Sequence, residues 1–465
     1  MKKWKNLLVI FLIPIIAIII IINFSVFIDM FKKPNIESAK YHLEHYKLEN
    51  EMEVILIPNN RVPAIMHMVW YYVGGVNEKL GKTGLAHYLE HLLFHGTEKY
   101  PKDYLDNYVS SIGGSHNAFT SYDFTAYYQT IPKKYLPEIM DIEADRMRNI
   151  ILEPKQTKIE RNIVLEERLL RRDNSPRAVL SEKLREAIFG KSIPYGRPLI
   201  GYEDDIAKLT HDDALEFYNK YYHPNNAVLV IAGDIDIEAV KKLVDKYYSP
   251  LKKGGRKAFH KIKEVASVKN NLVTHEDKNS SNLEISMVYL APSALSKDKN
   301  HTYPLAIASY LLAEHKNSIL YKKLVIEKDL ALSVSSNYSD LSRGQSFFEI
   351  SVVAKHEKYK DEIQDIITEE LEKLKNNRIK SDDLERAKSL FLIESLYSKE
   401  SYKSLAYIIG MNYTTGVSIS DILNWDKNIS EVKSKDINKA AKFVFKEDLR
   451  AIGYLIPKGG KFGKK

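Results

Sequence analysis

Short apolar runs alternate with longer amphipathic stretches along most of this chain. Strand-like segments 53–57 and 227–232 surround helical stretches near 84–94, 136–149 and 181–188. A turn-rich, charged segment, Ser249-Pro250-Leu251-Lys252-Lys253-Gly254-Gly255-Arg256-Lys257, then reads as a linker within 249–269. Beyond it a similar order recurs, with strand-like 283–290, helical 303–312, strand-like 347–353, and helical 359–374 and 382–398. The pattern predicts an α+β protein in two halves, 40–250 and 265–457.

The first residues follow a different pattern. Lys2, Lys3 and Lys5 precede an apolar run from Leu7 to Ile22, interrupted by Pro14 and continuing through Ile28. A bilayer needs about 20 apolar residues, so 7–28 is long enough to span one. Basic residues before the run favour an N-terminus left in the cytoplasm. No small-x-small cleavage site follows, and there is no Cys for a lipid. Residues 1–33 therefore read as an uncleaved signal-anchor in a bacterial inner membrane, with the body in the periplasm or outside. The alternative is a cleaved signal peptide that releases the body to the periplasm. The segment is neither amphipathic nor Arg-rich, which fits a mitochondrial transit peptide poorly.

The 465 residues are 44% hydrophobic and 28% charged, enough for two substantial cores. The net charge of +8 is spread among acidic residues and the Lys-rich ends. No basic-aromatic stripe argues for nucleic acid. The absence of Cys excludes disulfides and a thiol nucleophile.

The chemistry is concentrated in His87-Tyr88-Leu89-Glu90-His91. Residues four apart share a helix face, so His87 and His91 can offer two imidazoles to one metal ion with Glu90 beside them. This is the zinc-hydrolase pentapeptide in reverse order, the inverzincin pattern. A hydrolytic zinc takes three protein ligands and keeps one position for water. A candidate third ligand lies in the helical stretch containing Ile159, Glu160, Ile163, Glu166, Glu167 and Leu169-Leu170. Glu160 and Glu167 are two turns apart on one face, while Glu166 is rotated by roughly 100°. Glu160 can hydrogen-bond a ligand histidine from behind. His95 extends the stripe and reads as a neighbour. His116, His211, His223 and His260 have no partner pattern and read as ordinary.

With these residues the chain resembles the pitrilysin/insulinase family of zinc peptidases. The closest likeness is to its short two-domain branch, with the mitochondrial processing peptidase and bacterial heterodimeric zinc peptidases. Glu167 follows His91 by 76 residues within Glu160-Arg161 through Glu167, as in that family. The stretches Val73 to Glu78, Pro194 to Gly201, Tyr222 to Ala227 and Ala232 to Asp234 fit as well. The resemblance implies His87, His91 and Glu167 as ligands of one Zn²⁺ per chain, Glu90 as general base and Glu160 as a further catalytic-site carboxylate that holds a ligand histidine from behind. It also implies two homologous α/β-sandwich halves closing as a clamshell, the second without an active site of its own. Manganese or cobalt could serve the same donors.

Gly113-Gly114 followed by Ser115 to Tyr128 reads as a turn and a strand-like run. An edge strand there could take a peptide as a further strand. The resemblance makes Asn117, Ala118 and Phe119 the expected substrate contacts. One departure stands out. Self-sufficient members carry an Arg and a Tyr in the second half that steady the developing oxyanion. Here those positions hold Ile326 and Leu332. The resemblance therefore implies a metal-bearing subunit whose related partner supplies the Arg/Tyr pair. Tyr338 or Arg343 of this chain is the alternative source. The competing function is a non-catalytic subunit that keeps the fold within a membrane-associated assembly.

Overall fold

Unbroken apolar strands need cover on both faces, and that requirement organises the computed structural model of this chain. It describes residues 42–255, 259, 261–268, 272–376 and 378–458. The expected membrane segment 7–28 lies outside the described residues. Among the described residues, no helix is long and apolar enough to cross a membrane.

The first half runs β1 (Glu44–Lys47), β2 (Glu53–Pro58), β3 (Ala64–Tyr71), α1 (Leu85–Leu92), α2 (Tyr104–Ser111), β4 (Ser115–Thr120) and β5 (Thr125–Pro132). It continues with α3 (Leu136–Asn149), α4 (Pro154–Arg168), α5 (Pro176–Phe189), α6 (His211–Tyr221), β6 (Ala227–Gly233) and α7 (Ile237–Tyr247). The second half holds β7 (Leu272–Asp277), β8 (Glu284–Ala291), α8 (Thr302–Ala313), β9 (Ala331–Tyr338) and β10 (Ser346–Ala354). It ends with α9 (Lys360–Lys375), α10 (Ser381–Glu400), α11 (Tyr402–Thr415), α12 (Ser434–Val444) and β11 (Arg450–Pro457). Observed ends lie close to those expected. The main shift is α5, which starts at Pro176 behind the Ser175 cap rather than near 181.

The two sheets repeat one topology. The first has the order β1-β2-β6-β3-β5-β4 and the second β7-β11-β8-β10-β9. Matching pairs are parallel, β2 with β6 and β7 with β11, and the other ladders are antiparallel. Strand β6 is buried at every residue, as expected when both faces are covered.

The sequence reading did not anticipate how that cover is arranged. α11, from the second half, packs on β3 and β6 of the first sheet. α5, from the first half, packs on β7 and β11 of the second. The exchange requires close approach. A Cβ on Gly410 of α11 would lie 2.3 Å from the Trp70 indole. A Cβ on Gly453 of β11 would lie 2.6 Å from Leu184 of α5. Trp70 is fully buried, edge-on to Phe119, Phe124 and Tyr407.

Polar bonds also join the halves. The buried Arg343 donates from its backbone N–H to the Tyr195 hydroxyl (2.9 Å). Its guanidinium donates to the carbonyls of Tyr72 (3.4 Å) and Thr414 (3.2 Å). Arg177 makes a two-pronged ion pair with Glu284, both contacts 2.6 Å. Arg343 is therefore committed to the seam, and Tyr338 donates its hydroxyl to the Pro292 carbonyl (2.7 Å). Neither is among the residues lining the cavity of the metal motif.

Gly410→Ala is expected to destabilise the chain by about 1–3 kcal/mol through overpacking against Trp70. Urea unfolding followed by Trp fluorescence checks this as a lowered midpoint.

Candidate metal centre

Helix α1 is short, and its start is built with care. Gly84 precedes it at φ +86°, and a Cβ there would collide with the Ile200 carbonyl oxygen at 2.3 Å. The buried Glu78 accepts hydrogen bonds from the backbone N–H groups of Gly84 (3.0 Å) and Ala86 (2.8 Å). Burial pushes the Glu78 pKa up to about 8, while those two donors and Arg197 pull it down. The carboxylate thus satisfies N–H groups that a helix start leaves free. Sequence reasoning passed over Glu78 as part of a strand end.

Tyr88 fixes α1 against α4. Its ring is buried and its hydroxyl donates to the Thr157 carbonyl at 2.5 Å. With α4 held there, its inner face carries Glu160 and Glu167 towards the histidines. The buried residues of α4 are Thr157, Val164 and Arg168. Ile159, Ile163 and Leu170 face outward, the last 69% exposed.

The expected ligands converge. His87 Nε2 lies 3.7 Å and His91 Nε2 3.2 Å from Glu167 Oε2. One ligand atom from each of the three falls within 4.8 Å of the others. Zinc bonds of about 2.1 Å in a tetrahedron place donors about 3.4 Å apart, and the two separations from Glu167 Oε2 lie on either side of that value. The other His87 nitrogen, Nδ1, is buried without a hydrogen-bond partner. Glu166, the competing third ligand, is exposed.

Glu160 steadies the site from behind. His91 Nδ1 donates to Glu160 Oε1 (2.9 Å) and His95 Nε2 to Glu160 Oε2 (3.0 Å). His95 Nδ1 faces Gln156 Oε1 (2.8 Å). His95 is thus the neighbour expected of it. Its role is to hold the carboxylate that holds His91.

Without a cation, protons take over part of the charge balance. Burial opposes charge on His91, but hydrogen bonds to Glu160 and Glu167 outweigh it and push its pKa up to about 9. Burial, then the His91 charge, lowers His87 to about 4. Hydrogen bonds from His91 and His95 pull Glu160 down to about 2. Burial raises Glu90, which moves a carboxylate towards the range of a useful base.

Strand β4 forms the opposite wall as the free edge of the first sheet. Thr120 Oγ1 donates to Glu90 Oε2 at 2.5 Å and so holds the carboxylate expected to act as base. Thr120 shares a strand face with Ala118, and period-two alternation could have marked it. Phe119 turns the other way, and its ring packs with Trp70, Phe124 and Tyr407. It reaches the cavity only as part of the rim. The Asn117 side-chain oxygen accepts the Ala118 backbone N–H at 2.8 Å. His116, read as ordinary, lines the same cavity and bonds Asp106 at 2.9 Å. The cavity measures about 720 Å³ and also takes in Lys102, Asp103, Arg171 and Arg172. Helix α8, the counterpart of α1 in the second sheet's order, has no His or Glu.

Known proteins align with this arrangement. The family model for insulinase (peptidase family M16) matches residues 53–202. The model for the peptidase M16 inactive domain matches residues 208–391. "Zinc protease PqqE" of Helicobacter pylori is 30% identical over 419 residues, covering 89% of this chain and 93% of that protein. "Uncharacterized zinc protease YmxG" of Bacillus subtilis is 25% identical, covering 90% and 99%. The crystal structure of a protease from Helicobacter pylori superposes with a TM-score of 0.82 at 27% identity, covering 90% of this chain and all of that one.

Two outcomes follow. Zinc must displace the His91 proton, so its apparent affinity rises about tenfold per pH unit from 6 until the His91 pKa near 9 is passed. Calorimetry in buffers of different ionisation enthalpy should show about one proton released per zinc at pH 7. Thr120→Val is expected to keep full zinc content while lowering kcat/KM about ten- to a hundredfold, because a hydrogen bond to a charged group is lost.

Proposed function

The chain belongs to the insulinase family of peptidases, M16, and from that premise we propose that it is a zinc-dependent endopeptidase acting on extended peptides or unfolded segments. One observation carries the reading. His87, His91 and Glu167 meet within 4.8 Å, with Glu90 in the same cavity. When bound there, zinc would supply the Lewis acidity that makes water a nucleophile near neutral pH. Glu90, raised by burial and steadied by Thr120, takes the proton of the attacking water and returns it to the leaving amine. Strand β4 offers an extended peptide an edge to pair with. The similarity to proteins named as zinc proteases supports the same chemistry.

The proposal includes a partner. Ile326 and Leu332, at the expected Arg and Tyr positions, are 61% and 52% exposed aliphatic side chains. They cannot donate to an oxyanion. Arg343 and Tyr338 are tied up elsewhere. A related subunit bringing an Arg/Tyr pair would complete the site. The proposal also retains a membrane anchor in residues 1–33, with the peptidase body on the periplasmic side.

The test is cleavage of a mixed quenched-peptide library by the zinc-loaded chain, alone and with a co-expressed relative carrying the Arg/Tyr pair. Glu90→Gln is expected to lower turnover about 10²–10⁴-fold while zinc stays bound, and chelation should abolish it. Cleavage by the chain alone would eliminate the obligate partner. Failure to bind zinc or cleave in either arm would favour the non-catalytic subunit.

A further inference from the structure

Arg171 has no part in the chemistry described so far. It lies one turn beyond the metal ligand Glu167, in the wide π-type turn Leu169–Asp173 that closes α4. Such turns break helix regularity and recur at functional sites. Arg171 Nη1 contacts Glu167 Oε1 at 2.7 Å. The other carboxylate oxygen, Oε2, is the one facing His87 and His91. The two oxygens thus divide their work, one towards the ligand cluster and one towards the guanidinium.

A guanidinium carries five N–H donors in a planar fork. The Arg171 side chain is 75% exposed and lines the 720 Å³ cavity together with the metal ligands. Its contact with one carboxylate oxygen leaves donors for a second acceptor. Its neighbour Arg172 is less exposed and lies 3.9 Å from Glu182, which draws its charge away from the cleft. The other cation of the cavity, Lys102, stands beside Asp103, with Asp106 and His116 on the same side. Arg171 is therefore the exposed cation nearest Glu167, and the side of the cleft around Lys102, Asp103 and Asp106 is of mixed charge.

We propose that Arg171 is a specificity-determining residue that binds a carboxylate of the peptide lying beside the metal site. The inference rests on the peptidase reading and adds the substrate class: peptides with an acidic side chain, or a free C-terminus, within reach of Glu167. Planar two-pronged pairing is the mode in which Arg recognises carboxylates. Arg171 acts here as a substrate contact, separate from the oxyanion-stabilising pair assigned to a partner.

The test uses the full chain with zinc bound and Glu90→Gln to prevent turnover. Fluorescence anisotropy measures binding of dye-labelled peptides differing only as Glu against Gln near the centre, or as free acid against amide at the C-terminus. A preference of about tenfold or more for one carboxylate form is expected, and which series shows it identifies the source. Arg171→Ala should erase the preference, Arg171→Lys should keep part of it, and Arg171→Glu should turn it towards Lys-containing peptides. Zinc content is measured for each variant. Equal preference ratios in the parent and the Ala and Glu variants would overturn the proposal, as would loss of zinc with no change in ratio, which makes Arg171 only a clamp on Glu167. Cleavage of the same peptides by the chain with Glu90 intact is scored separately. Carboxylate preference without cleavage, even with the Arg/Tyr-bearing relative added, would sink the peptidase reading and leave the Arg171 assignment standing.

Discussion

Each half of this protein lacks cover for its own sheet, and the rest of the architecture depends on that deficit. Strands such as β3 and β6 are apolar on both faces, so helices on one side leave the other open to water. α11 closes the first sheet and α5 closes the second. Burial at roughly 25 cal/mol per Å² of apolar surface makes separation of the halves expensive. Gly410 and Gly453 are the points where helix and sheet come too close for any side chain.

Within that frame the metal centre is a problem of charge balance. Two carboxylates on α4 face two imidazoles on α1 in a half-buried cavity, and each would be costly there alone. The protein arranges that one positive charge, proton or metal, satisfies Glu160 and Glu167 together through His91. Glu78 and Tyr88 hold the two helices at the spacing this needs. Glu90 stands apart from that balance, raised by burial and bonded to a hydroxyl rather than a cation.

What could be read in the sequence follows the range of each interaction. The pairing of His87 with His91 is local and visible in the helix period. Glu167 is far along the chain; its two-turn spacing from Glu160 favours it over Glu166, and the resemblance singles it out. Strands β2, β6, β8 and β10 and seven of the helices named above were legible from periodicity, while β1, β3, β7, β9 and β11 were not. The orientation of α4 was not, because its inner face buries Thr157, Val164 and Arg168 while Ile159 and Ile163 face solvent. Apolar periodicity would have turned that helix the wrong way. The Leu180, Leu184, Ile188 stripe says that α5 buries a face, but not whose sheet buries it. Thr120 lies within the strand-like run Ser115 to Tyr128, but its partner Glu90 is 30 residues away, a pairing that no local pattern reveals.

The Asn117 side chain acts as a kind of lock on the sheet edge. An open sheet edge invites any passing strand, including those of other copies of the chain. With the Ala118 N–H already satisfied by Asn117, an incoming strand gains little from that donor until it displaces the amide. A segment that touches the edge only in passing leaves the amide in place. One that stays long enough to fill the cleft can replace it with its own carbonyl. The edge that would receive a substrate is thereby kept from sticking to everything else.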